Sequence, residues 1–297
     1  MAKILITGGS GLIGKQLTAL LQNDNHEVCW LSRSAGKYDN IESYSWDPAS
    51  GEIDESAIKG CDYIVHLAGA GVADERWTEE RKKIILNSRV DSTKTLVEAL
   101  KGSDHQPKAV ICASAIGYYG FRTTSKELTE SSPAGDEFLA SVTKKWETET
   151  DKFRDSGIRT AQIRIGIVLS KKGGALDAMT KPPLLSPLGT GKQWMPWIHI
   201  DDLTNMFYHA IKNDSMNEPF NAVAPNPVSN KEFTKLLAKK SKKLYLPIPV
   251  PPFALKMVMG EMAGMVLEGS KISCEKIVET GFQFKFDDVE KALDDLF

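Results

Sequence analysis

No stretch of this sequence stays apolar for the roughly 18 residues that a membrane-spanning helix needs, which removes a transmembrane helix from the expectations. Cysteine is scarce. The four, Cys29, Cys61, Cys112 and Cys274, lie far apart, with no CxxC pair and no metal-ligand spacing, so they read as buried reduced thiols and no metal site is expected. Charge of one sign is also missing: 37 basic against 39 acidic residues leave a formal net charge of -2, which points to neither a nucleic-acid nor a membrane-surface partner. There are no repeats and no low-complexity tracts. The chain enters a strand at Lys3-Ile4-Leu5-Ile6, leaving no room for a signal peptide, and the cytoplasm is the expected compartment.

What is present is an ordinary globular composition, 41% hydrophobic over 297 residues, enough to bury a large core. Lys3 to Thr7 is a short apolar run that stops at Gly8-Gly9-Ser10-Gly11. A helical stripe of Leu12, Ile13, Leu17, Leu20 and Leu21 follows, then a strand from Glu27 to Ser32. Further strands are expected at Tyr63 to Leu67, Ala109 to Ala113 and Thr160 to Ile165. Helical spacing separates them, at Val90, Thr93, Val97 and Leu100 and again at Phe138, Val142, Trp146 and Phe153. This alternation predicts an α/β fold: a Rossmann-type doubly wound, largely parallel sheet with helices on both faces. After about residue 170, glycines and prolines crowd the chain. The expected division is a dinucleotide-binding domain over 1–170 and a smaller C-terminal substrate lobe over 171–297, some of whose segments return to the Rossmann core.

Gly8, Gly11 and Gly14 stand at GxxGxxG spacing, and Gly9, Gly11 and Gly14 at GxGxxG, inside the strand–turn–helix–strand context that this motif requires. One glycine makes a tight turn, one lets the backbone approach a pyrophosphate, and one packs helix on strand; the helix N-terminus then faces the phosphates. The second strand sets cofactor choice. An acid near its end would hold a ribose 2′-hydroxyl, but here Ser32 and Arg33 stand instead, so a 2′-phosphate is attracted and NADP is the expected cofactor.

The opening Thr7-Gly8-Gly9-Ser10-Gly11-Leu12-Ile13-Gly14, the turn Leu67-Ala68-Gly69 and the stretch Trp197-Ile198-His199-Ile200-Asp201-Asp202-Leu203 resemble the extended short-chain dehydrogenase/reductases. Arg76 to Arg81, Ser88-Arg89, Ser114 to Gly120, Gly173 to Leu176, Gly191 to Trp194, Asn230 to Phe233 and Gly281 to Phe284 narrow the likeness over nearly the whole chain. They resemble an atypical epimerase-like subgroup of the NAD-dependent epimerase/dehydratase superfamily. That resemblance implies cofactor contacts at Thr7, Gly8, Gly11, Leu12, Ile13, Gly14, Ser32, Arg33, Leu67, Ala68, Gly69, Arg89 and Val168. It implies an NADP(H)-dependent oxidoreductase or epimerase acting on a small polar substrate of the nucleotide-sugar kind.

Members of this family use Ser, Tyr and Lys, the last two four apart on one helix face so that an ammonium lies beside the phenol. Anchoring on Trp146-Glu147 places Leu139 where the Tyr belongs and Thr143 where the Lys belongs; Ala115 stands at the Ser position with Ser114 beside it. The literal YxxxK, Tyr208 to Lys212, sits in the wrong helix. Ser114 and Tyr118, after the fourth Rossmann strand, are therefore the candidates to take over proton transfer, with Arg89 as a cation that favours a phenolate. The rival class is a protein that binds NADP(H) and regulates or scaffolds a partner without turnover, as plant relatives associated with plastid division suggest.

His66 and His199 read as structural histidines, and Lys239 to Lys243 as a solvated helix cap with no nucleic-acid role. Trp194 and Trp197 are read equally well as pocket walls or as loop anchors. Met257, Met259, Met262 and Met265 read as core or as the face of a homodimer.

Overall fold

The computed structural model describes residues 1–124 and 126–297. Lys3–Thr7 forms β1, and its alternate side chains enter different cores, as a strand covered on both faces must arrange them. Ile4 and Ile6 join one buried cluster, Leu5 another. The chain continues through α1 (Leu12–Asn23), β2 (Glu27–Ser32), β3 (Gly36–Tyr38), β4 (Ile41–Asp47), β5 (Glu52–Ile53), β6 (Tyr63–His66), α2 (Glu79–Lys101), β7 (Ala109–Ala115), α3 (Phe138–Asp155) and β8 (Arg159–Ile165). Beyond it come β9 (Ile167–Leu169), α4 (Ala175–Thr180), β10 (Leu184–Leu185), β11 (Trp194–Met195), β12 (Trp197–His199), α5 (Ile200–Lys212) and β13 (Pro219–Ala222). The chain ends with β14 (Val228–Ser229), α6 (Asn230–Lys240), β15 (Leu244–Tyr245), α7 (Pro252–Met259), α8 (Gly264–Leu267), α9 (Glu275–Glu279) and α10 (Val289–Leu296).

The main sheet has nine strands in the order β13-β8-β7-β6-β1-β2-β4-β3, with β5 paired to β4. All neighbours from β13 to β4 are parallel, seven strands in a row; β3 and β5 lie antiparallel on β4. The five strands read from the sequence, β1, β2, β6, β7 and β8, are therefore joined by β4 and β13 in the parallel row and by two antiparallel additions. Leu17 and Leu21 of α1 pack with Met206, Phe207 and Ala210 of α5 over one face. Leu96, Val97 and Leu100 of α2 and Phe153 of α3 cover the other. The sheet is thus doubly wound, and β1 and β6 flank the point where strand order reverses.

A third cluster, built from Leu169, Trp197, Phe233, Leu237, Leu293 and their neighbours, holds α6 and α10 together. Helix α6 begins with a full capping box between Ser229 and Glu232. Lys239 and Lys240 stand in the last turn of α6, as the cap reading expects, and in addition reach Glu290 and Asp294 of α10. The β13 strand, far beyond residue 170, closes the edge of the main sheet against β8.

Candidate functional site

The crevice lies at the carboxyl ends of β1 and β6. Thr7 ends β1, and its Oγ1 accepts hydrogen bonds from the backbone N–H groups of Leu67 and Ala68, both at 3.1 Å. With both acceptor directions of that oxygen taken, the Thr7 hydroxyl donates to His66 Nδ1 at 2.7 Å. His66 then carries its proton on Nε2 and donates to Thr93 Oγ1 at 3.0 Å, while Thr93 donates onward to the Arg89 carbonyl at 2.7 Å. This chain locks the turn after β6 to the turn after β1. His66 is fully enclosed, and burial pushes its pKa down to about 3.

That depression has a sign that can be measured. The unfolded histidine binds a proton below about pH 6.5, but the folded one does not until about pH 3, so stability falls as the pH drops through this window. From pH 6.5 to pH 5 the expected loss is about 2 kcal/mol. Urea denaturation across that range, compared with His66→Gln, should show the slope flatten in the variant; an equal slope in both would remove His66 as its source.

The glycine turn is shaped for a phosphate. Gly8 has φ +68°, in the left-handed region. A Cβ on Gly14 would sit 2.5 Å from the Gly8 carbonyl oxygen, so only glycine lets α1 start this close to β1. Helix α1 has Gly11 as its N-cap, no side-chain cap and no acidic residue in its first turn. Its first N–H groups, at Leu12, Ile13 and Gly14, precede the intrahelical ladder and point a positive dipole end outward. At the end of β2, Ser32 Oγ donates to the Ser34 carbonyl at 2.6 Å and lies 2.7 Å from Ser43 Oγ. Arg33 is exposed and makes no hydrogen bond or ion pair among the described residues. Arg89 donates through Nη1 to the carbonyls of Ala70 and Ile85, at 3.0 and 2.9 Å, and its guanidinium lies 5.1 Å from the Trp146 ring. No carboxylate pairs with it among the described residues, and burial, aided by Arg81, pulls its pKa down to about 10; it stays charged at neutral pH. Val168 is half-buried in β9, opposite Ile198 of β12.

The far end of the cleft differs from the expectation in its wiring. Ser114 is 3% exposed, and its hydroxyl donates to Glu147 Oε1 at 2.6 Å. The hydroxyl expected to move a proton is thus held inside the protein by a carboxylate. Glu147 in turn receives Arg164 Nε and Nη2, each at 2.8 Å, in a bidentate buried ion pair. Arg164 Nη1 also donates to Tyr119 Oη at 3.0 Å, and Tyr119 donates to Asn221 Oδ1 at 2.6 Å. Burial pushes the Tyr119 phenol up to about 12. The guanidinium over Tyr118 is that of Arg164, 3.6 Å from the ring centre, and not that of Arg89 as expected. Tyr118 is half-buried, and its hydroxyl has no partner among the described residues.

Leu139 and Thr143 sit where the aligned helix places them. Both are buried, and a Cβ on Gly117 would lie 3.5 Å from Leu139 Cβ and 3.7 Å from Thr143 Oγ1. The helix face that would carry a phenol and an ammonium is therefore apolar and closed under the turn that bears Tyr118. Tyr208 and Lys212 belong elsewhere: Lys212 binds Asp24 at the C-terminal end of α1, and Tyr208 Oη lies 3.4 Å from His26. His199 caps α5 by accepting from Asp201 N, and Trp197 is buried with its Nε1 on the Asn226 carbonyl, an anchor and not a pocket wall. Trp194 is half-buried beneath Lys271. Among the described residues no cluster of His, Cys, Asp or Glu has the geometry to hold a metal.

A glycine-turned helix start at the reversal point of a doubly wound parallel sheet defines a Rossmann-type dinucleotide-binding protein. The comparisons with known proteins agree. The model of the NAD dependent epimerase/dehydratase family matches residues 4–144, and a domain of unknown function, DUF1731, matches residues 250–296. The epimerase family protein YfhF of Bacillus subtilis is 36% identical over 299 residues, covering 99% of this chain and 97% of its own. The chloroplastic SDR39U1 homolog of Arabidopsis thaliana is 39% identical, covering 98% of this chain and 85% of its own. The human epimerase family protein SDR39U1, solved with NADPH, superposes with a TM-score of 0.87 at 33% identity over 99% of this chain and 98% of its own. The chain belongs to this epimerase family. UDP-glucuronic acid 4-epimerase from Bacillus cereus superposes with a TM-score of 0.79 over 98% of this chain and 96% of its own, but at 18% identity it shares the fold alone.

Proposed function

We propose that the protein binds NADP(H) in this crevice and is an epimerase-like oxidoreductase acting on a small polar substrate. The observation that carries the reading is the unpaired Arg33 at the end of β2, beside a helix start with neither cap nor acid. The NADPH held by the human relative supports it. The N–H groups of Leu12, Ile13 and Gly14 would cradle the pyrophosphate, with Gly8 and Gly11 leaving it room. Ser32 and Arg33 would hold the 2′-phosphate, and Thr7, Leu67, Ala68 and Gly69 the adenosine side. Arg89 and Val168 would face the rest of the cofactor or the substrate. NADP(H), when bound, supplies or accepts the hydride. Tyr118 is then the group left to move a proton, because Leu139, Thr143 and the sequestered Ser114 have no free acid or base to offer.

A second reading is favoured by those same three residues: an NADP(H)-binding regulator or scaffold without turnover. One measurement tests the cofactor that both readings share, and a second separates them. Calorimetric titration with NADP(H) and NAD(H) is expected to show preference for the phosphorylated cofactor; binding of neither would sink the cofactor assignment. NADPH absorbance, followed with a panel of sugar-nucleotide and small carbonyl substrates, is expected to fall in the wild type. It should slow by about a hundredfold in Tyr118→Phe, the usual contribution of a general acid. Because an epimerase returns the hydride and regenerates its cofactor, the same mixtures are also analysed for epimerised sugar; tight NADPH binding with neither NADPH consumption nor epimerised product would favour the regulator.

A further inference from the structure

The near-neutral average charge conceals an uneven surface. Between residues 178 and 200, and between 233 and 260, the chain has no Asp or Glu at all, yet carries lysines throughout. Lys239 and Lys240 are engaged by Glu290 and Asp294, and Lys181 by Asp177. Lys192, Lys242, Lys243 and Lys256 have no carboxylate partner among the described residues.

Six large apolar side chains left in solvent, Leu184, Leu244, Ile248, Phe253, Met257 and Val258, gather in the same two segments. Leu184 and Leu244, 41% and 74% exposed, are partners across the β10–β15 ladder. Ile248, 65% exposed, follows four residues beyond Leu244, at a bend between Pro247 and Pro249. A bridge between Leu188 and Val250 carries this edge into α7, where Phe253, Met257 and Val258 are 68%, 72% and 75% exposed. Phe253 and Met257 are four apart on the helix, with Lys256 beside them on the same face. None of the residues of α7 is buried. Helix α7 is half-buried through Ala254, Leu255 and Met259, the last packed on the cluster of Trp77 and Met262, while Phe253, Met257 and Val258 face solvent. This outer apolar face, continuing an apolar edge on segments that carry unpaired lysines, has a surface that belongs against something.

A second copy is a poor match. A twofold interface would set each patch against itself and bring unpaired lysines together with no acid to meet them. An anionic lipid surface is complementary on both counts: it takes Phe, Met, Leu and Ile side chains into the boundary below the headgroups and pairs the lysines with lipid phosphates. We propose that the strip from Leu244 to Val258, together with Leu184, docks the protein peripherally on an anionic lipid bilayer, with α7 lying in the interface. No helix among the described residues is long and apolar enough to cross a membrane, so the attachment is to one leaflet only. The proposal is independent of the cofactor reading, since none of its residues belongs to the crevice.

The test is vesicle flotation of the full chain on phosphatidylcholine liposomes with and without phosphatidylglycerol. Wild type is expected to float only with the anionic vesicles and to be released by high salt. Lys256→Glu should weaken partitioning by about tenfold, given the roughly fivefold that one lysine contributes at such a surface. Phe253→Ser combined with Met257→Ser should weaken it by at least about tenfold through lost apolar burial. Both variants should keep the wild-type melting temperature and NADP(H) affinity, since the altered side chains are exposed. Three results would overturn the proposal: no flotation with anionic vesicles, equal flotation on neutral ones, or indifference to the Phe253 and Met257 changes. A dimer seen by light scattering that the double variant dissociates would also overturn it, and would assign the strip to a second copy.

Discussion

Arg33→Ala should cost the protein its preference for NADP(H) while leaving NAD(H) affinity nearly unchanged. The guanidinium stands exposed at the end of β2 with no hydrogen-bond or ion-pair partner among the described residues, so its removal should leave the fold undisturbed. What is lost is a charge-assisted contact to a dianionic phosphate. Such hydrogen bonds are worth about 1.5–3 kcal/mol, which is about ten- to a hundredfold in Kd. Ser32 alone cannot compensate, because its hydroxyl proton is already given to the Ser34 carbonyl. Arg33→Lys should recover part of the loss, since an ammonium supplies the charge but not the planar pair of donors. Paired titrations with both cofactors read the ratio directly. Equal weakening of NADP(H) and NAD(H) would mean that Arg33 supports the adenosine pocket as a whole and does not select the phosphate.

The first half of the chain was legible because its signals are local. The run Lys3 to Thr7, the glycines and the stripe from Leu12 to Leu21 lie within one βαβ unit, where period and spacing determine strand, turn and helix. The strand β4 was missed, since Glu42, Ser43 and Ser45 dilute its apolar positions with polar ones. The β13 strand was missed for another reason: Pro219 to Ala222 is too short to announce itself, and its place beside β8 is decided by tertiary pairing. At the site, the loss of the phenol–ammonium pair could be read from alignment alone. Its replacement could not. Ser114, Glu147 and Arg164 come from β7, α3 and β8, and no spacing in the sequence says that they touch. The one available sign was that Glu147 falls at helical spacing from Thr143 and Thr150, which puts an acid on a buried face. Average charge is silent in the same way at the surface, because it does not say where the lysines lie.

Glu147→Ala should be the most damaging single substitution in the molecule outside the apolar cores. Arg164 is 2% exposed, and the two oxygens of Glu147 answer its Nε and Nη2 in one fork. Burial works against the charge on Arg164, but the hydrogen bonds and ion pairing with Glu147 outweigh it and hold its pKa above the ordinary value. Removing the carboxylate leaves that charge enclosed without a counterion and strips the Ser114 hydroxyl of its acceptor. Breaking one side of such a pair costs about 3–5 kcal/mol, and for a chain of this size the melting temperature should fall by about 10 °C. Glu147→Gln should cost less, because its amide oxygen still accepts from Ser114 or Arg164. The double variant Glu147→Leu with Arg164→Met should recover most of the loss, since two apolar side chains of similar volume need no partners. Thermal melts of the three proteins form a complete test: if Glu147→Ala melts within about 2 °C of wild type, water has entered and the pair is not the buried clamp its distances describe. The same series bears on function. Arg164 holds the Tyr118 ring at 3.6 Å, so Arg164→Met with Glu147→Leu should preserve stability while freeing Tyr118. A fall in NADPH consumption in that stable double variant, with cofactor affinity retained, would place the ion pair in the positioning of Tyr118 as well as in the support of the sheet.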